Sequence, residues 1–336
     1  MIASYQELYE NGKIDTEHLL IGNGFSIGIW KDFNYTSLYE RQEDSLEIRD
    51  KMLFEELKTT NFELVLENIK KAININQIFN YEINELSKSY ERIKNALIQA
   101  VIKVHPANYE TRLHTDIELN NTFSIFKKSI FTTNYDLIPY WLHIKLLKQK
   151  KEINDFFKKN GKEYLNFAPV RNDNSLNLYY LHGGLHLFVN EENLIQKVKK
   201  EEHQFLIDAV TESMSNNNIP LYVSEGKWED KLEQIESNKY LRFCFDALKR
   251  SQGHLTIFGH ELSEAADKHI IEAIQNSKID VIAYGIYDLD RKEAISERIK
   301  SYFKDKDVLF FNSRSFHDSI ENLINPWFGD KEQMRG

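Results

Sequence analysis

Short, continuous apolar runs recur along the second two-thirds of the chain, and most are separated by stretches with helical spacing. The runs lie at 130–132, 178–181, 221–223, 255–258, 281–284 and 308–311, with an earlier one at 18–21. They are rich in β-branched and aromatic residues and show no polar alternation, as strands buried on both faces do. The helical stretches are 137–148, 192–214, 228–248, 263–274 and 291–303. Strand and helix in alternation predict an α/β fold with a mostly parallel, Rossmann-like sheet and helices on both faces. Residues 39–125 break this rhythm. They are charged and helix-rich, with Leu86, Tyr90, Ile93, Leu97, Val101 and Val104 at the spacing of one long amphipathic helix. We read 39–125 as a helical insertion within a single domain spanning 1–336, packed on the core and a candidate cap over a ligand cleft.

Glycines and polar residues collect just past the runs. Ile21 leads into Gly22-Asn23-Gly24-Phe25-Ser26, Thr132 into Thr133-Asn134-Tyr135-Asp136, Leu181 into His182-Gly183-Gly184, and Phe258 into Gly259-His260-Glu261. In open α/β sheets ligands bind outside the carboxyl ends of the strands, so these residues are expected around one cleft. Strand, glycine turn and helix is the arrangement that offers backbone N–H groups to a phosphate. Gly22 and Gly24 can take positive φ and let a ligand come close to the backbone. The spacing to Gly28 misses the dinucleotide fingerprint by one residue, and a tight turn without a ligand explains the glycines equally well.

Each polar residue carries two readings. Asn134 could hold a ribose hydroxyl or a water, and either Asn134 or Asp136 could cap the helix that starts near Leu137. His182 could serve as a general base near neutral pH or as a hydrogen-bonded structural histidine. His182 and His186 are four apart, but Gly183-Gly184 argues against a helix and so against a metal pair there. The segment from Gly259 to Ser263 reads as a second phosphate or ribose cradle. Ser263 is an expected N-cap, Ala266 stands where a capping box has Glu, and Asp267 complements the helix dipole.

Composition narrows the class. The net charge is −9 with both signs interspersed, so no clear nucleic-acid footprint is present. No run is long enough to cross a bilayer and the first residues lack an apolar leader, which predicts a soluble cytoplasmic protein. The single cysteine, Cys244, lies in an apolar helical context and reads as a core residue. One cysteine also excludes a cysteine-based zinc module, and no metal is expected.

In combination, GNGFS at 22–26, TTNYD at 132–136, LHG at 181–183 and FGHELSEAAD at 258–267 resemble the NAD-contacting segments of the sirtuin fold. The likeness is closer to the sirtuin-like domains of bacterial proteins, many of them antiphage NAD hydrolases, and closer still to a bacterial branch that shares the 220–267 region. It covers roughly 19–311. The resemblance implies a sirtuin-type sheet, with Gly22, Gly24 and Ser26 in a phosphate-binding turn and Asn23, Phe25, Thr133 and His260 beside the cofactor. It implies Asn134 as catalytic asparagine, Asp136 as its acidic neighbour, His182 as catalytic histidine, and Gly259 and Ser263 in the later cofactor segment. The chain departs from sirtuin deacylases in lacking the four-cysteine module after the histidine, which argues against protein deacylation. Asn23 and Phe25 replace small residues of the deacylase turn and predict a narrower pocket.

The expected activity is therefore NAD⁺ glycohydrolysis, releasing nicotinamide and ADP-ribose, in the manner of an antiphage effector. Alternatives are ADP-ribosyl transfer to a macromolecule and a nucleotide-binding sensor or assembly module without turnover. The expected partners are NAD⁺ or a related nucleotide, with a homo-oligomer or a partner protein compatible with the reading. By analogy, the helical insertion is a candidate gate on a toxic activity.

Overall fold

The computed structural model describes residues 2–33, 38–106, 119–159, 164–170, 175–190, 192–201, 204–223 and 227–324. Residues 107–118 of the expected insertion, 202–203 of the expected helix 192–214, 224–226 of the 220–267 likeness and 325–336 of the expected domain lie outside that description.

The strands are β1 (His18–Ile21), β2 (Ser129–Thr132), β3 (Ile153–Asn154), β4 (Phe157–Lys159), β5 (Tyr164–Phe167), β6 (Leu176–Tyr180), β7 (Gly183–Val189), β8 (Ile195–Val198), β9 (Pro220–Tyr222), β10 (Gln252–Phe258), β11 (Lys278–Ile286) and β12 (Asp307–Asn312). They form a seven-stranded sheet in the order β12-β11-β10-β1-β2-β6-β3 and a five-stranded sheet in the order β4-β5-β8-β7-β9. Every pairing in the larger sheet is parallel. Helices flank this sheet, as the alternating pattern predicts, and every residue of β1 and β2 is buried.

The second sheet is a departure from expectation. Residues 221–223 do not join the parallel sheet: β9 runs antiparallel to β7. The expected helix 192–214 holds strand β8, and its helical part is Leu206–Ser215. Lys197 of β8 is buried yet tolerated, because its ammonium pairs with buried Asp155 and lies 4.5 Å from the centre of the Tyr140 ring. The expected helix 228–248 is two helices, Trp228–Ser237 and Lys239–Lys249, divided at Asn238. The Asn238 side chain accepts the N–H groups of Tyr240 and Leu241, so a new helix starts there.

The described residues of 39–125 are largely helical, with the long helix Asn84–Val104 burying Ile93, Leu97, Val101 and Val104. It packs against Leu206–Ser215 and the preceding helix Phe62–Ile78. Cys244 is fully buried, as expected, and burial raises its thiol pKa. Among the described residues no helix is long and apolar enough to cross a membrane.

Candidate active site

The register of the large sheet sets the site. Ile21 of β1 lies beside Phe258 of β10 and Thr132 of β2, and Thr132 lies beside Tyr180 of β6. Four strands therefore end level with one another. Connections leave β1 and β10 toward opposite sides of the sheet, which makes this the switch point where α/β folds bind ligands. At about 4.8 Å between neighbours, the four ends span about 14 Å. A cavity of ≈ 510 Å³ opens there. Gly22, Asn23, Gly24, Thr133, Asn134, Asp136, His182, Gly259, His260 and Ser263 line it, so the expected residues meet in one place.

Phe25 and Ser26 do not line the cavity. Phe25 is fully buried, with its ring against Phe123 and Phe258, so its side chain is core and not cofactor contact. Ser26 is also fully buried, but it supports the site from below. Its hydroxyl accepts the Asn134 Nδ2–H at 2.8 Å and hydrogen-bonds Asp136.

The positive φ at this turn belongs to the facing glycine. Neither Gly22 nor Gly24 has positive φ; Gly259 does, at +65°. A Cβ on Gly22 would stand 2.7 Å from the Gly259 carbonyl oxygen, and one on Gly24 would stand 2.8 Å from Gly259 Cα. These glycines let two strand-end turns press backbone to backbone. The Gly24 N–H donates to the Gly259 carbonyl at 2.8 Å, Gly22 N–H to Phe258 at 3.1 Å, and Phe25 N–H to Gly22 at 2.9 Å. Those amides hold the protein together and are not available to a phosphate.

Asn134 is buried, and its Oδ1 has no partner among the described residues. An orphan acceptor on a cavity wall is costly unless a ligand or water satisfies it. Asp136 accepts the Ile138 N–H at 2.8 Å, an Asx turn that satisfies the first N–H of the helix Ile138–Lys148, whose N-cap position is Leu137. Burial pushes its carboxyl pKa up from 3.8 to about 6, against the hydrogen bonds from Ser26 and Ile138. His182 is buried with Nε2 2.9 Å from Nε2 of His269, which lies on the helix Glu264–Gln275. Burial, then the neighbouring His269, Lys231 and His260, hold His182 well below its ordinary pKa. It is a neutral imidazole at pH 7. His186 lies elsewhere, stacked on Tyr140 with ring centres 4.4 Å apart.

Ser263 occupies the N-cap position but makes no side-chain cap bond. Asp267 replaces it, accepting the Ser263 N–H at 3.0 Å. The carbonyls of His260 and Glu261 are both engaged by the Tyr284 hydroxyl. Lys231 and His269 are the residues that sequence reasoning missed. Lys231 lies in a charged helix, indistinguishable by pattern from a solvated lysine. His269 gave a weak signal, as a histidine on the apolar face of its helix. No described residue of the insertion lines the cavity. Its link to the site is indirect, through His105, whose Nε2 accepts the Leu137 N–H at 3.2 Å.

A family model described as a domain of unknown function (DUF4917) matches residues 19–317. No curated protein matches the chain.

Proposed function

The chain belongs to the DUF4917 family, and we propose that it is an NAD⁺ glycohydrolase built on a sirtuin-like sheet. The observation that carries the reading is the meeting of Asn134, Asp136 and His182 from two strand ends in one ≈ 510 Å³ cavity. That volume lies in the range of small-molecule sites. The unpartnered Asn134 Oδ1 is suited to a ribose hydroxyl or to the attacking water. In the reaction the bond between nicotinamide and ribose C1′ breaks, and nicotinamide leaves with the bonding pair. Water attacks the oxocarbenium-like carbon and loses a proton to His182. His182 Nε2 faces His269, so Nδ1 takes that proton while Nε2–H donates to His269. Asp136, with a pKa of about 6, is mostly ionised at pH 7 and offsets positive charge.

A binding module without turnover is the second reading. The observation that favours it is the deep burial of His182 and its contact with a second neutral histidine, which together weaken it as a base. Incubation of the purified chain with NAD⁺ separates the two. Free nicotinamide is expected. Tight NAD⁺ binding with no nicotinamide released would leave the binding module.

A further inference from the structure

A phosphate in this cavity needs donors, and the amides of the glycine turn at Gly22, Gly24 and Phe25 are already engaged. A cationic side chain is present instead. Lys231 on the helix Trp228–Ser237 is only 5 % exposed and lines the cavity. Among the described residues its one ion pair is to Asp267, at 3.9 Å, beyond hydrogen-bonding reach. The other Asp267 oxygen takes the Ser263 N–H. Among the described residues the ammonium makes no hydrogen bond. The side chain is nearly enclosed and its ammonium has no hydrogen-bond acceptor among the described residues, so an anionic group in the cavity is the partner that fits it.

The surroundings point the same way. His260 accepts the Leu262 N–H at Nδ1, so its neutral ring keeps the proton on Nε2 as a further donor on the cavity lining. Tyr284 and Arg298 hold the carbonyls of this loop: Tyr284 those of His260 and Glu261, and Arg298 that of Glu261 at 3.1 Å. Of the lining carboxylates, Asp136 is engaged by Ile138 and Ser26, and Glu261 is exposed.

We propose that Lys231 is the anion-recognising residue of this cavity and that the ligand places a phosphate against its ammonium, with His260 Nε2–H as second donor. This deepens the nucleotide reading of the same cavity and rests on it for the choice of probes. The glycine turn then supplies shape, and the charge comes from a helix of the neighbouring layer. A nucleoside without phosphate is a poor ligand.

The test is calorimetric titration of the full chain with ADP-ribose, inorganic pyrophosphate and adenosine, for wild type, Lys231→Gln and Lys231→Arg, each with a melting curve. Wild type is expected to bind ADP-ribose at least about tenfold more tightly than adenosine, the size of one charge-assisted contact. Lys231→Gln is expected to remove that preference and leave adenosine binding unchanged, and Lys231→Arg to restore most of it. If the Gln variant does not fold, ionic strength decides: added salt must weaken wild-type binding of ADP-ribose and not of adenosine. Equal affinity for ADP-ribose in wild type and folded Lys231→Gln overturns the proposal. So does failure of wild type to bind both ADP-ribose and pyrophosphate. Lys231-dependent binding without nicotinamide release from NAD⁺ upholds the phosphate site and removes the hydrolase. Undiminished release in a Gln variant of unchanged ADP-ribose affinity does the reverse.

Discussion

Asn134 and His182 sit on the rim of a rigid sheet, and each has hydrogen-bonding capacity left over from the fold. Truncating His182 to alanine removes the proposed base and is expected to slow nicotinamide release by about 10²–10⁴-fold. Asn134→Ala is expected to do the same, with a stability cost of about 1 kcal/mol for the lost bond to Ser26. A His182→Ala protein that melts like wild type and turns over at the wild-type rate would make His182 structural. Asp136 obeys a different logic. Its carboxyl keeps its proton up to about 6 when folded, against 3.8 unfolded. Between those values the folded state binds more protons, so this group's contribution to stability falls as pH rises through the window. At pH 7 the buried charge costs about 3 kcal/mol. Asp136→Asn retains an oxygen for the Ile138 N–H and is expected to melt above wild type at pH 7.5. That excess should shrink toward pH 4. An excess that does not change with pH would show that the carboxyl is not strained by burial.

Between elements, the tightest contact at the site is that of the β1 turn with the β10 turn. Gly24→Ala drives a methyl into Gly259 Cα, and neither backbone can retreat without breaking the Gly24 N–H to Gly259 carbonyl bond. The expected loss is about 1–3 kcal/mol. Gly28 is the internal control: a Cβ there meets nothing within 4 Å, so Gly28→Ala should stabilise the fold by about 0.5–1 kcal/mol of helix propensity and raise the melting temperature slightly. Similar melting of the two variants would refute the crowding argument. The same turns mark what was legible in the sequence. The buried parallel strands announced themselves as apolar runs, and their ends carried the site residues. The second sheet did not. Its strands are short, and β8 reads Ile195-Gln196-Lys197-Val198, whose inward lysine is explicable only once Asp155 is seen beneath it. The step from β6 to β7 looked like a loop at a strand end. In the fold the chain crosses sheets there, through Gly183 at φ +69°, where a Cβ would overlap the Leu221 carbonyl. Glycines mark tight places in a sequence, and only the fold says whether ligand or backbone fills the space.

The whole molecule carries a further consequence of how it buries histidine. Of its 11 histidines, His18, His105, His182, His186, His260, His269 and His317 all have pKa values lowered chiefly by burial. His18, His105 and His317 fall from 6.5 to about 4 and His269 to about 3. Below 6.5 the unfolded chain takes up protons that the folded chain refuses. The unfolded state then binds more protons, and stability falls as pH falls. One histidine displaced by this much withdraws about 3 kcal/mol once the pH has passed its folded value. Total stability of a typical domain is about 5–15 kcal/mol, so a few such groups suffice to unfold it. Asp136 opposes the trend, but it is one group. Asp50 and Asp155, both held below the ordinary carboxylate range by their cationic partners, add to the loss only under about pH 4. The chain is therefore expected to keep a level melting temperature from pH 8 to 6.5, then to lose stability steeply and unfold between about pH 6 and 4. The pH slope of the unfolding free energy in that window should correspond to more than one proton taken up per molecule. Denaturant titrations at half-unit pH steps measure that slope directly. A melting temperature that stays level down to pH 4.5 would mean that the buried histidines accept protons in place, which would also undo the neutral His182–His269 pair on which the proposed proton transfer depends.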